Sequence, residues 1–164
     1  MNSLSLSKME KRHSTDVLSI YLQGIETGNA TFQTQAPSWE DWDKGHLEKM
    51  RLVATDADTV TGWAALSPVS GRCVYAGVAE VSVYVHSEYR GKKIGKLLLE
   101  ELIKESESCG IWTLQAGIFP ENEASIELHK KCGFRIVGRR EKLGQLKGVW
   151  RDVMLLERRS SKVL

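Results

Sequence analysis

Residues 90–96 form a short basic loop with two glycines, a composition that suits phosphate binding. Gly91 and Gly95 lack a Cβ atom, so the backbone there can turn tightly and approach a ligand closely. A helix predicted to begin at Ile94 directs unpaired amide groups and the positive end of its dipole toward an anion. A plain turn between a strand and a helix, with solvated basic residues, explains the same composition. The loop by itself is therefore only a weak indication of a phosphate site.

Two familiar nucleotide-binding motifs do not fit this loop. The P-loop of nucleoside triphosphatases needs four residues between its glycines, followed by Lys and a hydroxyl residue. Here three residues separate Gly91 from Gly95, and Leu97 follows Lys96 where the hydroxyl belongs. The dinucleotide-binding fingerprint needs three glycines, whereas the loop has two. Both interpretations are excluded.

A second segment, residues 119–134, has a pattern of its own, F-P-E-N-E-A-S-I-E-L-H-K-K-C-G-F. Asn122 suits the N-cap of a helix, and Gly133 with Phe134 suits a helix end followed by a core aromatic residue. Each of these structural roles is sufficient alone. The two segments nevertheless follow one another at the distance that successive strand–helix units require, which argues against a chance coincidence.

Together, the sequence V-Y-V at residues 83–85, the loop and the second segment resemble the GCN5-related N-acetyltransferase (GNAT) family. The family's acetyl-CoA motif is R/Q-x-x-G-x-G/A, in which Arg90 and Gly95 match and Lys93 replaces the first glycine. We expect Lys93 to keep a negative φ and still present its amide to a phosphate. Four shorter segments narrow the resemblance to the phosphinothricin acetyltransferase branch, which includes acyltransferases acting on methionine sulfoximine. These segments are residues 28–32, 38–42, 79–80 and 150–153.

The resemblance implies acetyl-CoA as the co-substrate and no metal ion. In this family the loop cradles the pyrophosphate, and a backbone N–H of a bulged strand, here that of Val83 or Tyr84, binds the thioester oxygen. Asn122 and Ser125 would contact the pantetheine arm. The predicted acetyl-CoA-binding residues are Val83, Tyr84, Val85, Arg90, Gly91, Lys92, Lys93, Ile94, Gly95, Lys96, Asn122 and Ser125.

Glu80 is the predicted catalytic residue, because it precedes the apolar strand that leads into the loop. An amine arrives as ammonium near neutral pH, so one group must hold it and then take its proton, directly or through a water molecule. A surface glutamate at a strand start is the alternative. His129 stands where many family members have a tyrosine that protonates the leaving thiolate, and a packed helix residue is the alternative there.

A carboxylate or phosphinate on the substrate requires a planar, bidentate cation. Arg72 aligns with an arginine of the family and is the predicted partner of that group, with surface charge as the alternative. Phe32, Thr34 and Tyr75 are the predicted walls of the substrate pocket. Lys147 replaces a histidine of the herbicide-detoxifying relatives, which predicts poor turnover of phosphinothricin itself.

The periodicity of apolar residues predicts a mixed α/β (α+β) fold in a single domain, residues 1–164. Predicted strands cover residues 4–9, 51–55, 60–66, 79–85, 113–119, 134–137 and 149–156. Helices are predicted to begin near residues 14, 38, 94 and 122. The resemblance covers about residues 14–156 and implies a central sheet that splays at the bulged strand.

The composition of the 164-residue chain excludes several classes of function. A net charge of +2, without a stripe of basic and aromatic residues, argues against a nucleic-acid partner, and Arg139 with Arg140 is interpreted as solvated surface. No apolar run is long enough for a membrane span or a signal peptide. Three cysteines without a C-x-x-C motif argue against disulfides and zinc. We therefore expect a cytoplasmic protein with a small-molecule substrate.

The leading functional prediction is direct, sequential transfer of an acetyl group from acetyl-CoA to the α-amine of a small amino-acid analogue, of the phosphinothricin or methionine sulfoximine type. The alternatives are acetylation of a protein N-terminus or a polyamine, and a non-catalytic acyl-CoA sensor. Because the family commonly pairs two chains, the resemblance also implies a homodimer. Trp150 would then cover the partner's pocket, with core packing as the alternative.

Overall fold

A mixed β-sheet runs through the computed structural model, which describes residues 3–164. Within that part of the chain the sheet has seven strands in the order β1-β2-β3-β4-β5-β7-β6. The β4–β5 pair is parallel and the other five pairs are antiparallel. The strands are β1 (Leu4–Lys8), β2 (Leu52–Asp56), β3 (Thr59–Pro68), β4 (Val78–Val85), β5 (Thr113–Ile118), β6 (Arg135–Leu146) and β7 (Val149–Arg159). This architecture confirms the predicted mixed fold.

Four α-helices of the described residues flank the sheet: α1 (Ser14–Glu26), α2 (Trp39–Gly45), α3 (Ile94–Ser108) and α4 (Glu123–Lys131). Two of them begin with the capping residues expected from the sequence. The Ser38 side chain accepts a hydrogen bond from the amide of Asp41, and the Asn122 side chain accepts one from the amide of Ser125 at 3.3 Å. These contacts satisfy amides that the first helical turn leaves without partners.

Two hydrophobic cores lie on opposite faces of the sheet. The core under α3 contains Leu66, Leu98, Leu99, Leu102 and Leu114. The core under α1 and α2 contains Val17, Ile20, Trp42 and Trp63. β3 supplies both cores and is buried along most of its length, since successive side chains of a strand point to opposite faces. Because β3 is held between the two cores, it fixes the position of β4, the strand that pairs with it.

The sheet splays between β4 and β5. The two strands pair at only three positions, of which the last joins Glu80 to Gln115, and β5 then follows β7, with which it pairs along its entire length. The opposite edge of β4 pairs with β3 without a register shift from Ala79 to Val85. The predicted bulge in β4 was therefore wrong: the divergence of β5, and no inserted residue, opens the sheet.

Among residues 3–164, no helix is long and apolar enough to cross a bilayer.

Candidate active site

The divergence of β4 and β5 opens a cleft of about 1440 Å³. This volume exceeds the roughly 300–1,000 Å³ of a site for one drug-sized ligand, so the cleft has room for two substrates. Its loop side comprises Val83, Tyr84, Val85, Arg90, Gly91, Lys93, Ile94, Gly95, Lys96, Asn122, Ser125 and His129. Its sheet side comprises Tyr21, Phe32, His46, Ser67, Glu80, Gln115, Gly117, Phe119, Arg140, Leu143, Val153 and Leu155.

The basic loop before α3 contains two residues in the left-handed region. Gly91 has a φ of +77°, and a Cβ added there would meet no atom within 4 Å. Lys93 is the residue before α3 and has a φ of +64°. The expectation of a negative φ at Lys93 was therefore wrong, because the loop must turn sharply into the helix there whether or not a glycine is present. This conformation costs a residue with a side chain about 1–2 kcal/mol.

Gly95 allows the first turn of α3 to lie close to its neighbours. A Cβ atom at this position would be 3.2 Å from Leu128 Cδ2 and 3.6 Å from Val85 Cγ2. The amide of Leu97 donates to the carbonyl of Lys93 at 3.2 Å, so the amides of the three residues before it have no acceptor within the helix. Amides with this geometry form an anion site.

Three of the four basic residues that were predicted to bind the phosphates lie near these amides. Arg90, Lys93 and Lys96 line the cleft, and Lys96 also lies 3.7 Å from Glu100. Lys92 does not line the cleft; its ammonium lies 4.9 Å from the centre of the Tyr89 ring. A helix start with free amides and three cations suits a ligand that carries phosphate groups.

Glu80 lies at the apex of the cleft, where the pairing of β4 with β5 ends. The side-chain amide of Gln115 donates to its carboxylate at 3.3 Å. Gly117 keeps the space in front of that carboxylate open, since a Cβ there would be 3.8 Å from Glu80 Oε1 and 3.4 Å from Val153. Gln115 was not predicted from the sequence. The alternation of apolar and polar residues at Leu114, Gln115 and Ala116 indicated that the Gln115 side chain leaves the strand on the opposite face from its two neighbours.

His129 faces the cleft from α4 and is 5% exposed. Its Nδ1 donates to the carbonyl of Ser125 at 2.7 Å, so Nε2 carries no proton in the neutral ring. Burial lowers the pKa of His129, which disfavours the imidazolium. The ring therefore presents an acceptor near neutral pH, which does not suit a proton donor.

Asn122 joins two segments beside His129. Its side-chain oxygen caps α4, while its Nδ2 donates to the carbonyl of Asn29 at 3.2 Å. Asn122 and Ser125 both line the cleft. The capping role and a ligand-binding role are thus compatible at this residue.

Three of the predicted substrate residues do not line the cleft. Arg72, Thr34 and Tyr75 are exposed, and the Arg72 guanidinium lies 5.8 Å from the centre of the Tyr75 ring. For Arg72 and Tyr75 the reason is topological: residues 72–75 precede β4, whereas the cleft opens in the other direction from Glu80. Thr34 follows Gln33, the last residue of its loop that lines the cleft. Of the predicted walls, Phe32 does line the cleft.

Phe32 is held in place by two contacts. Its ring meets the ring of Phe119 edge-on, with centroids 4.9 Å apart. Gly144 makes room for it, because a Cβ there would be 3.2 Å from Phe32. Phe119, Leu146 and Val153 form a small buried core behind this wall.

Arg140 is exposed, as its interpretation as solvated surface predicted, and it also lines the sheet side of the cleft. It pairs with Val153 across β6 and β7, so its side chain shares the cleft face with that residue. Its neighbour Arg139 points to the other face and binds Asp152 at 2.7 Å. Arg140 has no ion-pair partner among residues 3–164. The opposite directions of adjacent strand residues were the signal for this difference.

An aromatic group borders the cleft on the face of the sheet that α1 and α2 cover. Tyr84 stacks on Trp63 with ring centroids 5.0 Å apart and lies 5.0 Å from Tyr21. Burial raises the pKa of Tyr84, so its hydroxyl stays protonated. His46 donates from Nδ1 to the carbonyl of Trp42 at 2.6 Å, and burial lowers the pKa of its ring. His46 therefore also presents an unprotonated Nε2.

The model of the acetyltransferase (GNAT) family matches residues 18–134, from α1 to the start of β6. The chain belongs to this family. The cleft at the splayed sheet, with the glycine-containing loop at one end, is accordingly the candidate active site of this acetyltransferase.

Two relatives of this acetyltransferase have named substrates. The phosphinothricin N-acetyltransferase of Streptomyces coelicolor is 38% identical over 147 residues, which are 85% of this chain and 86% of that protein. The L-methionine sulfoximine/L-methionine sulfone acetyltransferase of Pseudomonas aeruginosa is 38% identical over 110 residues. That second match spans 65% of this chain and 62% of the relative.

Solved structures match the acetyltransferase over nearly its whole length. A phosphinothricin acetyltransferase from Sinorhizobium meliloti, in complex with acetyl-CoA, has a TM-score of 0.86 and 27% identity, covering 96% of this chain and 88% of that one. A ribosomal-protein-alanine N-acetyltransferase from Brucella melitensis has a TM-score of 0.88 and 30% identity, covering 95% and 99%. The fold is therefore shared by enzymes named for acceptors of different size.

Proposed function

We propose that this acetyltransferase transfers the acetyl group of acetyl-CoA to the α-amine of a small amino-acid analogue, of the phosphinothricin or methionine sulfoximine type. The observation that carries the proposal is the position of Glu80. Its carboxylate lies at the apex of the cleft, between the anion-binding loop on one side and an aromatic pocket that contains Arg140 on the other. An amine held there would lie beside a thioester that enters from the loop.

Acetyl-CoA is the co-substrate, and the loop side suits each part of it. The free amides of α3, with Arg90, Lys93 and Lys96, would bind the phosphates. Residues 81–85 of β4 have no strand partner on the cleft side, so an extended pantetheine arm can lie along that edge. An amide of Val83 or Tyr84 on this edge would then bind the thioester oxygen as negative charge develops on it.

Glu80 has two roles in this reaction. Its carboxylate attracts the ammonium form of the acceptor and then takes one proton, directly or through a water molecule, so that the neutral nitrogen can attack the thioester carbon. Gln115 holds the carboxylate from the opposite strand. The carbon–sulfur bond breaks as the amide forms, and the transfer needs no covalent enzyme intermediate.

The leaving thiolate needs little help, because a thiol has an ordinary pKa of about 8.5. His129 was a candidate for its protonation. In the neutral tautomer fixed by Ser125, however, His129 has no proton on Nε2 to give. We therefore assign no proton donation to His129 at neutral pH, and propose that the thiolate takes its proton from solvent.

Arg140 replaces Arg72 as the proposed partner of an acidic group on the acceptor. It is the cation on the sheet side of the cleft, and its guanidinium has the forked geometry that suits a carboxylate or phosphinate. Phe32 would flank the aliphatic part of the acceptor. The named substrates of the relatives, which carry such acidic or strongly polar groups, support this choice.

The proposal includes one domain, a homodimer and a cytoplasmic location. Matches to solved structures along nearly the whole chain support a single domain. At the start of β7, Val149 is 60% and Trp150 55% exposed, an apolar surface that a second copy would cover. Three free cysteines suit a reducing compartment. Sedimentation of the wild type and of a Trp150→Lys variant tests the dimer.

A protein N-terminus is the second candidate acceptor, because one structural neighbour is named for a ribosomal-protein alanine. An N-terminal residue inside a peptide bond has no free α-carboxylate, so Arg140 would have no partner there. Loss of activity in an Arg140 variant against the amino acid, but not against the peptide, separates the two candidates.

A thiol-release assay with acetyl-CoA tests the proposal. The acceptors are L-methionine sulfoximine, L-methionine sulfone, phosphinothricin, a polyamine and a peptide that begins with alanine. We expect the two methionine derivatives to give the highest kcat/KM, with phosphinothricin lower because of Lys147. Release with the peptide alone would favour the second candidate. Thermal stabilisation by acetyl-CoA without release from any amine would leave a non-catalytic sensor.

A further inference from the structure

Arg151 of β7 makes an unusual set of contacts with a distant loop. Its side chain is 15% exposed, and its guanidinium donates to the carbonyl of Gly28 and to Asn29 Oδ1, both at 2.9 Å. One nitrogen also lies 3.4 Å from the carboxylate of Glu121. The guanidinium carbon lies 4.1 Å from the centre of the Phe119 ring. One cation thus joins three segments of the chain.

The loop that Arg151 contacts forms part of the cleft wall. Residues 29–33 all line the cleft, and Phe32 is among them. A second tie comes from Asn122, whose Nδ2 donates to the carbonyl of Asn29 at 3.2 Å. Asn29 is therefore held through its side chain by β7 and through its backbone by the start of α4.

The loop follows the carboxyl end of α1, where a cation is favourable. The last carbonyls of a helix lack partners and carry the negative end of the dipole. α1 has no basic residue of its own in its last turn. Arg151, which is remote in sequence, supplies that charge, and its planar fork can bind two acceptors at once.

Phe119 transmits this anchoring to the wall of the pocket. The Arg151 guanidinium lies over the Phe119 ring, and Phe32 meets the same ring edge-on at an interplanar angle of 84°. A movement of Arg151 would release both the base of the loop and the ring against which Phe32 rests.

We propose that Arg151 is a positioning residue for the acceptor: it fixes residues 28–33 against β7 and the start of α4, and so sets the position of the Phe32 wall. The proposal rests on the proposed function in so far as it treats the sheet side as the acceptor pocket. Loss of the guanidinium should loosen the wall without disturbing the phosphate loop, which belongs to other elements.

Three variants test this role. Arg151→Met keeps most of the side-chain length and removes the charge and all donors. Arg151→Lys keeps the charge but cannot bind Gly28 and Asn29 as a fork, so it should rescue only part of the loss. Arg139→Met is the matched control, because Arg139 also makes an ion pair on β6 but on the face away from the cleft.

Hydrogen exchange measures the anchoring without any reference to activity. In Arg151→Met we expect the amides of residues 28–33 to exchange about tenfold faster, while residues 90–96 keep their wild-type rates. Arg139→Met should match the wild type in both segments. Unchanged exchange of residues 28–33 in Arg151→Met would overturn the proposal, whatever the acceptor of the enzyme turns out to be.

Kinetics then test the consequence for the acceptor, with L-methionine sulfone or whichever amine of the panel is turned over best. We expect the acceptor KM to rise about tenfold in Arg151→Met, and the acetyl-CoA KM to change less than about twofold. An equal rise in both KM values would overturn the positioning role. If Arg151→Met fails to fold, Arg151→Lys and Asn29→Ala provide the same two measurements. Failure of the whole amine panel would reject the proposed function and leave the exchange result standing.

Discussion

The two sides of the cleft are built in different ways. The loop side consists of two contiguous segments, residues 83–96 and 122–129, and presents mainly backbone amides at a helix start. The sheet side is assembled from side chains of one helix, five strands and three loops, among them Phe32, Glu80 and Arg140. Backbone recognition tolerates many side-chain changes but few changes of conformation, whereas the sheet side depends on each side chain. The loop side therefore suits a constant co-substrate and the sheet side a variable acceptor.

The largest effect is expected at the boundary between the two sides. Glu80→Gln removes the proton acceptor and the charge that attracts the ammonium, and should lower kcat at neutral pH about 100-fold or more. Acetyl-CoA binding, measured by calorimetry, should not change, because the loop side is intact. Glu157→Gln is the control. Glu157 lies on β7, opposite Gln115 of β5, but does not line the cleft. A wild-type kcat in Glu80→Gln would remove Glu80 from the mechanism.

A smaller effect is expected on the sheet side alone. Arg140→Met should raise the KM for L-methionine sulfone about tenfold or more, since a hydrogen bond to a charged group contributes about 1.5–3 kcal/mol. The acetyl-CoA KM and the melting temperature should stay near their wild-type values. Arg139→Met again serves as the control. Equal KM values for wild type and Arg140→Met would exclude Arg140 from acceptor binding.

The two sides should respond alike to acid, because each has a histidine withdrawn from solvent, half-buried His46 and buried His129. Burial lowers the pKa of His46 on the sheet side and of His129 on the loop side. An unfolded histidine titrates near pH 6.5, so below that pH the unfolded chain binds more protons than the folded one. The stability that the neutral rings provide is thus present above about pH 6.5 and lost as the pH falls. At pH 5.5, one unit below the pKa of an unfolded histidine, each ring lowers the unfolding free energy by at most about 1.4 kcal/mol.

Chemical denaturation at pH 7.5 and pH 5.5 measures this loss of unfolding free energy. His46→Gln and His129→Gln should each reduce the difference between the two pH values, and the double variant should reduce it further. A pH dependence that survives in the double variant would assign the effect to other groups.

The smallest effect is expected from the loop backbone. Lys93→Gly relieves the left-handed conformation of a residue with a side chain, and should raise the unfolding free energy by about 0.5–1 kcal/mol. Lys92→Gly is the control, since Lys92 is not among the residues with a positive φ, and glycine there should lower stability. Thermal unfolding of both variants measures the contrast. Equal shifts would show that the φ of Lys93 imposes no strain.

The difference between the two sides also explains what the sequence could predict. The loop side follows from local spacing, because contiguous residues form its amides, cap and glycine contacts. Asn122 accordingly caps α4, as its residue type predicts, and Gly95 allows close packing at the start of α3. Lys93 departs from the expectation because its φ is set by how the loop enters α3, which no side-chain pattern reports.

The sheet side depends on topology, which residue types do not specify. Arg72 and Tyr75 have suitable chemistry but precede β4, beyond the closed end of the cleft. Arg140 is exposed, as predicted, but it also lines the cleft, because the pairing of β6 with β7 decides which of two adjacent arginines shares the cleft face. The contacts of Arg151 with Gly28 and Asn29 join residues more than a hundred positions apart. The positions of these side chains are set by pairing between distant strands, which no local sequence pattern reports.

The free edge of β4 has a further consequence. Unpaired strand edges normally recruit other strands and cause aggregation, but this edge lies inside a cleft whose opposite wall includes β5. Paired strands lie about 4.8 Å apart and exchange backbone hydrogen bonds, whereas beyond Glu80 β4 makes no such bonds with β5. An extended ligand with amides along its length can take the place of the missing strand. The same divergence that ends the pairing at Glu80 thus leaves backbone groups available to a bound molecule.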